Sequence, residues 1–353
     1  MSQPLQKALL LQTKQGSFAV STIPRPLSAT PGELLVKVMA SGLNPGDWKV
    51  KEYGWFLADD HYPAILGADV AGEVEEVGNG VMGFKKGDRV FFNGRSGKQS
   101  EYAGYQQYAR APADITVKIP ARLSYAQAAT MSAGLNTAAI GLYAKEPIGL
   151  ALNPDFDPDI KFSGKAALVI GGSCCVGQYA IQLLRYLDFS PIIVYASKHN
   201  FDYLRNLGAT ELIDRNEVSP ESLATAAKSR TLNAIDVVFD AVGSDETQQA
   251  GYDALLNGGK MVVTMFLSQI KGKSDGDGKK VLGVIGNVQR EENREFGRTI
   301  ARKLSNLVKE GIIVPNRYDV LPDGLNGITE GLGRIKNNKV SGVKLVVYPQ
   351  ETA

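Results

Sequence analysis

Cysteine and histidine are scarce: two of each in 353 residues. The cysteines are neighbours, Cys174 and Cys175, and a trans peptide sets their Cα atoms about 3.8 Å apart, below the ~4.4 Å at which relaxed disulfides begin. No disulfide framework can form. Charge of one sign is also missing, since 39 Lys and Arg against 37 Asp and Glu leave +2, and no run of five like charges occurs, which argues against nucleic acid as a main partner. There is no apolar run of 18 residues, and the opening MSQPLQKALLLQTKQG has neither a signal-peptide core nor a cleavage site, so no membrane association is expected. These absences together predict a soluble cytoplasmic protein of a reducing compartment.

What is present suggests two domains, at about 100–200 residues each. Residues 5 to about 120 alternate short β-like runs (Leu34–Val38, Gly72–Gly78, Arg89–Phe92) with Gly and Pro, as a small, mostly β domain would. After Tyr125–Ala129, a helix-forming stretch, strands alternate with helices. The strands are Ala166–Ile170, Ile192–Ala196, Glu211–Ile213, Val237–Asp240, Lys260–Thr264 and Val281–Ile285. Tyr179–Leu187 and Asn200–Leu207 carry apolar residues at helical spacing between them. This pattern predicts an α/β fold with a doubly wound parallel sheet. Phe296–Val308 and Gly331–Lys336 read as helices, and Lys344–Val347 reads as a closing strand expected to rejoin the first domain. The domains are then 1–128 with 295–353, and 129–294. Two polar stretches, Asn153–Ile160 and Lys271–Lys280, read as insertions or mobile loops.

The strand Ala166–Ile170 runs into Gly171-Gly172-Ser173-Cys174-Cys175-Val176-Gly177 and then a helix. A tight glycine turn at a helix N-terminus places backbone N–H groups and the positive dipole end where a pyrophosphate can sit. Gly172 and Gly177 fit the first and third glycines of G-x-G-x-x-G, whereas Cys174 stands at the second. As small residues at a helix N-terminus, the cysteines are loop fillers or thiols of lowered pKa. The end of the second strand, where an NAD ribose would meet a carboxylate, carries Ser197, Lys198 and His199 instead, with Arg215 after the third. That favours NADPH, the alternative being that Lys198 and Arg215 are ordinary solvated side chains.

The chain resembles the medium-chain dehydrogenase/reductase superfamily nearly end to end. The resemblance rests on Pro31–Val38, Gly42–Asp47, Pro63–Gly72, Gly87–Val90 and Gly342–Val347. It implies a GroES-like, mostly β substrate domain beside a Rossmann domain. Where the superfamily's zinc alcohol dehydrogenases carry a ligand Cys and His, this chain has Asn44 and Ala68, and the four-cysteine zinc lobe is missing. A catalytic zinc needs about three protein ligands, and the histidines, His61 and His199, are assigned to a loop and to the nucleotide phosphate, so no metal is expected. The zinc-independent branch remains, with quinone oxidoreductases and ene-reductases. Within it, Gly-Gly-Ser-x-x-Val-Gly, Ser197–Phe201 and Asn44–Lys49 are most similar to the fungal trans-acting enoyl reductases of polyketide synthases.

The resemblance implies an NADPH-dependent enzyme that delivers hydride to the β-carbon of an α,β-unsaturated carbonyl and a proton to the α-carbon. By the same resemblance Lys49 faces substrate and its ammonium donates to the developing enolate oxygen, unless it is a solvent-facing lysine beside a turn. Asn44 points into the cleft or caps a turn; Thr137 stands at the nicotinamide end or is a helix-interior threonine. Val242, Gly243, Met265 and Phe266 follow the fourth and fifth strands and are expected beside the nicotinamide, because ligands bind outside the carboxyl ends of such strands. Trp48, Tyr53, Trp55 and Phe56 line a wide apolar pocket or pack as core. Two other readings use the same residues: an NADPH:quinone oxidoreductase, and a nucleotide-binding relative without turnover. The partners implied are a small enone or quinone and an acyl carrier or polyketide synthase, with the chain a monomer or homodimer.

Overall fold

The structure of the chain, a computed structural model, describes residues 3–97 and 100–353. Two units make it up. The first comprises Met1–Ala133, Asn287–Lys309 and Val314–Ala353; the second comprises Gly134–Gly286 with Glu310–Ile313.

In the first unit the ten-residue strand Glu33–Gly42 organises the larger sheet. It pairs antiparallel with Asp69–Val77 on one side and with the closing strand Lys344–Val347 on the other, while Tyr108–Pro112 pairs with its first half. Alternation in Leu34-Leu35-Val36-Lys37-Val38 sends Leu34, Val36 and Val38 to one buried face, where they pack with Val70, Val74, Val90 and Phe92. A three-stranded sheet of Phe18–Pro24, Leu5–Leu11 and Ala64–Ile65 covers a second core that includes Leu43, Tyr105, Leu345 and Val347.

The second unit is a six-stranded parallel sheet. Its strands are Ala166–Ile170, Ile192–Ala196, Glu211–Asp214, Ile235–Asp240, Leu255–Thr264 and Lys280–Val284, and their spatial order is third, second, first, fourth, fifth, sixth. That order reverses direction beside the first strand, which is where doubly wound sheets bind ligands. All five residues of Ala166–Ile170 are buried, as expected of a strand covered on both faces.

Several elements differ from expectation. The fifth strand starts at Leu255 and the long helix at Glu291, ahead of the expected Lys260 and Phe296. The helix after the glycine loop spans Cys175–Tyr186 and so begins before the apolar repeat that starts at Tyr179, because its first turn is fixed by the Cys174 cap and by close packing of Gly177 on the glycine turn. The Asn153–Ile160 stretch is pinned, not loose. The buried Asn153 amide donates to Asp157 O at 2.9 Å and accepts the Asp157 N–H at 2.8 Å, and Phe156 packs against Tyr143 with ring centroids 5.1 Å apart. In Lys271–Lys280 a short 3₁₀ turn, Asp275–Asp277, precedes the sixth strand. Among the described residues no helix is long and apolar enough to cross a membrane.

Candidate active site

In the second unit, Gly171 takes a left-handed φ of +77° at the end of the first strand, a conformation that favours glycine. Gly172 and Gly177 have no room for a side chain. A Cβ on Gly172 would strike Val194 Cγ1, and one on Gly177 would strike Gly171 O and lie 2.8 Å from Gly172 Cα. Cys174 explains why the middle glycine is dispensable. Its φ of −74° and ψ of 161° suit any residue, and its Sγ accepts the Gly177 N–H at 3.3 Å as the N-cap of Cys175–Tyr186. Burial of that sulphur among loop atoms pushes the thiol up against the Gly177 and Val176 N–H groups, although the residue as a whole is exposed. Gln178 Nε2 donates to Ser173 O at 2.8 Å and holds the turn, while Cys175 and Val176 form the first helical turn, half-buried. Strand, close-packed turn and capped helix N-terminus fit a dinucleotide pyrophosphate.

The adjoining strand ends are cationic. Ser197 is buried, but Lys198 and His199 are exposed on a short 3₁₀ turn, and Arg215 is exposed one position beyond Asp214, which pairs with Ala196 across the sheet. His199 Nε2 lies 3.1 Å from Asn200 Nδ2, and Lys198 Nζ lies 3.7 Å from Glu217 Oε1 with both side chains about 70% exposed; an ion pair so exposed is weak and exchangeable. After the fourth strand, buried Asp240 fixes the Val242–Gly243 turn. Its Oδ1 accepts both their N–H groups, at 2.9 and 3.0 Å, and its Oδ2 accepts the Thr247 hydroxyl at 2.8 Å. Burial pushes its pKa up against those bonds. Met265 turns the chain after the fifth strand with a φ of 76°, a conformation costing about 1–3 kcal/mol for a non-glycine residue. Val242, Phe266, Leu267 and Ile285 all lie exposed around these carboxyl ends. Thr137, half-buried on helix Ser132–Tyr143, packs directly against Gly286, which follows the sixth strand.

In the first unit, helix Pro45–Tyr53 carries the expected substrate residues. Pro45 sits at its first turn and Gly54 ends it in the left-handed conformation, the usual asymmetry of helix ends. The helix and the turn after it bring the aromatics together, with Trp48 and Tyr53 at 5.8 Å, Tyr53 and Trp55 at 4.9 Å, and Trp55 and Phe56 at 6.2 Å. Lys49 Nζ lies 5.8 Å from each indole centroid, Trp48 and Trp55, and desolvation by this surround lowers its pKa. Asn44 is the N-cap residue, and its amide is already engaged. Oδ1 accepts from Lys344 Nζ at 2.5 Å, and Nδ2 donates to Asp69 Oδ2 at 2.8 Å.

Asp47, Asp69, Tyr105 and Lys344 were not among the residues expected at the site. All four are buried. Lys344 Nζ lies 2.6 Å from Asp69 Oδ2, Asp69 Oδ1 accepts the Ala133 N–H at 2.6 Å, and Asp47 Oδ2 accepts the Tyr105 hydroxyl at 2.6 Å and the Asn44 N–H at 2.9 Å. Burial raises Asp47 to about 6, opposed by those two donors and by Lys344. A sequence signal existed for Asp47 alone: Asn44, Pro45 and Asp47 have the spacing of a reciprocal helix cap. Among the described residues no group of three or more His, Cys, Asp or Glu could hold a metal ion. His61, expected in a loop, ends the short 3₁₀ turn Asp59–His61, its Nδ1 accepting the Ala58 N–H at 3.3 Å.

Two family models match the chain: the alcohol dehydrogenase GroES-like domain over residues 30–121 and the zinc-binding dehydrogenase domain over residues 175–295. A trans-enoyl reductase of Alternaria alternata, ACTTS2, is 32% identical over 97% of this chain and 98% of its own. The enoyl reductase component lovC of the lovastatin nonaketide synthase of Aspergillus terreus is 29% identical over 98% and 96%. The crystal structure of an alcohol dehydrogenase superfamily protein from Novosphingobium aromaticivorans superposes with a TM-score of 0.80 at 25% identity, covering 97% of this chain and 99% of that one. Fold, strand order and full-length similarity agree: the chain belongs to the medium-chain dehydrogenase/reductase superfamily, in its enoyl reductase branch.

Proposed function

We propose that the chain is an NADPH-dependent, zinc-independent reductase of the C=C bond in α,β-unsaturated carbonyl compounds. The observation that carries this reading is the full-length similarity to trans-enoyl reductases, joined to a position where zinc-dependent relatives place a ligand but where Asn44 is bonded to a lysine ammonium. Lys198 and Arg215, with no carboxylate at the end of the second strand, support the 2′-phosphorylated dinucleotide. Bound NADPH would supply the hydride for the β-carbon.

The remaining tasks fall to the protein. Gly172 to Val176 hold the pyrophosphate at a helix N-terminus, and Ser197, Lys198, His199 and Arg215 take the 2′-phosphate. Val242, Gly243, Met265, Phe266 and Thr137 exclude water beside the nicotinamide. Lys49 donates to the enolate oxygen as charge develops there, where a preorganised cation in a desolvated surround is most effective. Trp48, Tyr53, Trp55 and Phe56 give the acyl chain an apolar wall. The lovC relative's place in a synthase supports a substrate presented on an acyl carrier.

The test is oxidation of NADPH and NADH with matched enones, saturated ketones and quinones, each product identified by mass. Saturated carbonyl formed from enones with NADPH is the expected result. Turnover confined to quinones would replace this reading with quinone reduction, and NADPH binding without turnover of free or carrier-bound enones would replace it with a non-catalytic role.

A further inference from the structure

Lys344 is fully buried on the closing strand, some 300 positions along the chain from Asn44. Its ammonium has two anchors, Asn44 Oδ1 at 2.5 Å and Asp69 Oδ2 at 2.6 Å, and Asp69 is itself tied to Asn44 Nδ2 and to the Ala133 N–H. The site is close-packed: a Cβ on Gly42 would strike Ala129 O and lie 2.9 Å from Lys344 Cε and 3.1 Å from Asp69 Cβ. Removing one partner of such a buried pair is strongly penalised, so the lysine is held in one place. What it holds is the residue that opens a helix, whose N–H is accepted by Asp47 Oδ2 at 2.9 Å. Asn44 is the N-cap of Pro45–Tyr53, and Lys49 lies on the second turn of that helix between two indoles.

We propose that Lys344 is a positioning residue of the reduction: a fixed internal cation that locks the Asn44 amide and, through the start of the helix that Asn44 opens, sets where Lys49 and its aromatic neighbours stand. The inference rests on the function proposed above, in which Lys49 meets the substrate. Lys344 itself transfers no proton and touches no substrate. Its effect appears in the step that depends on Lys49 and leaves NADPH binding alone.

The Lys344→Met variant leaves the Asp69 carboxylate buried without its cation and is prone to misfold, so the Asp69→Asn/Lys344→Met variant, neutral at both positions, is the working comparison. Below the Tm of each protein, it should lose about tenfold or more in kcat/KM for an enone while the NADPH Kd stays within about twofold. Introducing the same neutral pair into Lys49→Ala should cost nothing further, because Lys344 acts only through Lys49. Wild-type kcat/KM in the neutral variant, or losses that multiply, would overturn the proposal, because a merely structural residue gives independent effects. If the wild type reduces no enone, the functional reading fails by itself, and the positioning is read separately. In ¹³C-methylated protein the Lys49 resonance, identified by its loss in Lys49→Ala, should shift in the neutral variant. An unchanged resonance would sink the inference.

Discussion

Lys49 has a lowered pKa because its ammonium is half withdrawn from water beside Trp48 and Trp55. In the proposed mechanism the charged form is the donor, and it is lost as pH rises through a value below the ordinary ~10.4 of lysine. The pH profile of kcat/KM for an enone should therefore fall on its alkaline side earlier than a normal lysine would dictate. Lys49→Ala should remove that limb and lower kcat by about 10²–10³, the usual cost of losing one transition-state donor; a variant profile that keeps the limb would assign it elsewhere. Asn44 shows what residue-level reading misses. Both side-chain atoms are engaged with Asp69 and Lys344, so the amide joins that buried pair to the start of the helix, and no free amide is left over to polarise a carbonyl. At the cofactor end the exposed cations are tested by discrimination. Lys198→Ala with Arg215→Ala should weaken NADPH by about tenfold or more, about 1.4 kcal/mol, with NADH nearly unchanged in fluorescence titrations. Equal losses for both nucleotides would point to the pyrophosphate instead.

At the scale of elements, the glycine loop was legible because its requirements are local: a buried strand, a turn too tight for side chains and a helix start, all within twelve residues of Ala166. Backbone conformation was not legible. Cys174 breaks the glycine spacing yet sits at dihedrals any residue adopts and caps the helix with its sulphur. The local bonding of Asn153–Ile160 was hidden for a similar reason, since polarity alone does not show that the Asn153 side chain closes the loop on itself. A pair of alanine substitutions separates crowded from open glycines. Gly177→Ala would press against Gly171 O and Gly172 Cα, backbone atoms that cannot step aside, and should destabilise by about 1–3 kcal/mol while weakening NADPH. Gly333→Ala, inside helix Ile328–Lys336 with nothing within 4 Å of the new Cβ, should instead stabilise by up to ~1 kcal/mol. Urea unfolding with nucleotide titration distinguishes them, and equal effects would show that crowding does not govern the loop.

Across the whole molecule, the pairings hardest to read were those that join distant parts of the sequence. Lys344, Asp69 and Asn44 have no shared local pattern, and the antiparallel pairing of Glu33–Gly42 with both Asp69–Val77 and Lys344–Val347 brings them together. The same buried cluster gives the first unit a pH dependence opposite in sign to most carboxylates. Asp47 is raised to about 6 by burial, against about 3.9 in an unfolded chain. Below the unfolded value both states hold the proton and nothing is lost. As pH rises the unfolded chain ionises first, so the Asp47 contribution to stability falls between about pH 4 and 6 and levels off above the folded value, a change of about 3 kcal/mol at ~1.4 kcal/mol per pKa unit. Carboxylates held low by cations, such as Asp114 beside Arg294 and Arg298, slope the other way, so the informative quantity is a difference between proteins. Both tryptophans, Trp48 and Trp55, lie in the first unit with Asp47, and their fluorescence in urea reports its unfolding. The stability of Asp47→Asn minus that of the wild type should rise by up to about 3 kcal/mol from pH 4 to pH 7. A flat difference would mean that the Tyr105 hydroxyl, the Asn44 N–H and Lys344 offset the burial of the Asp47 charge in full.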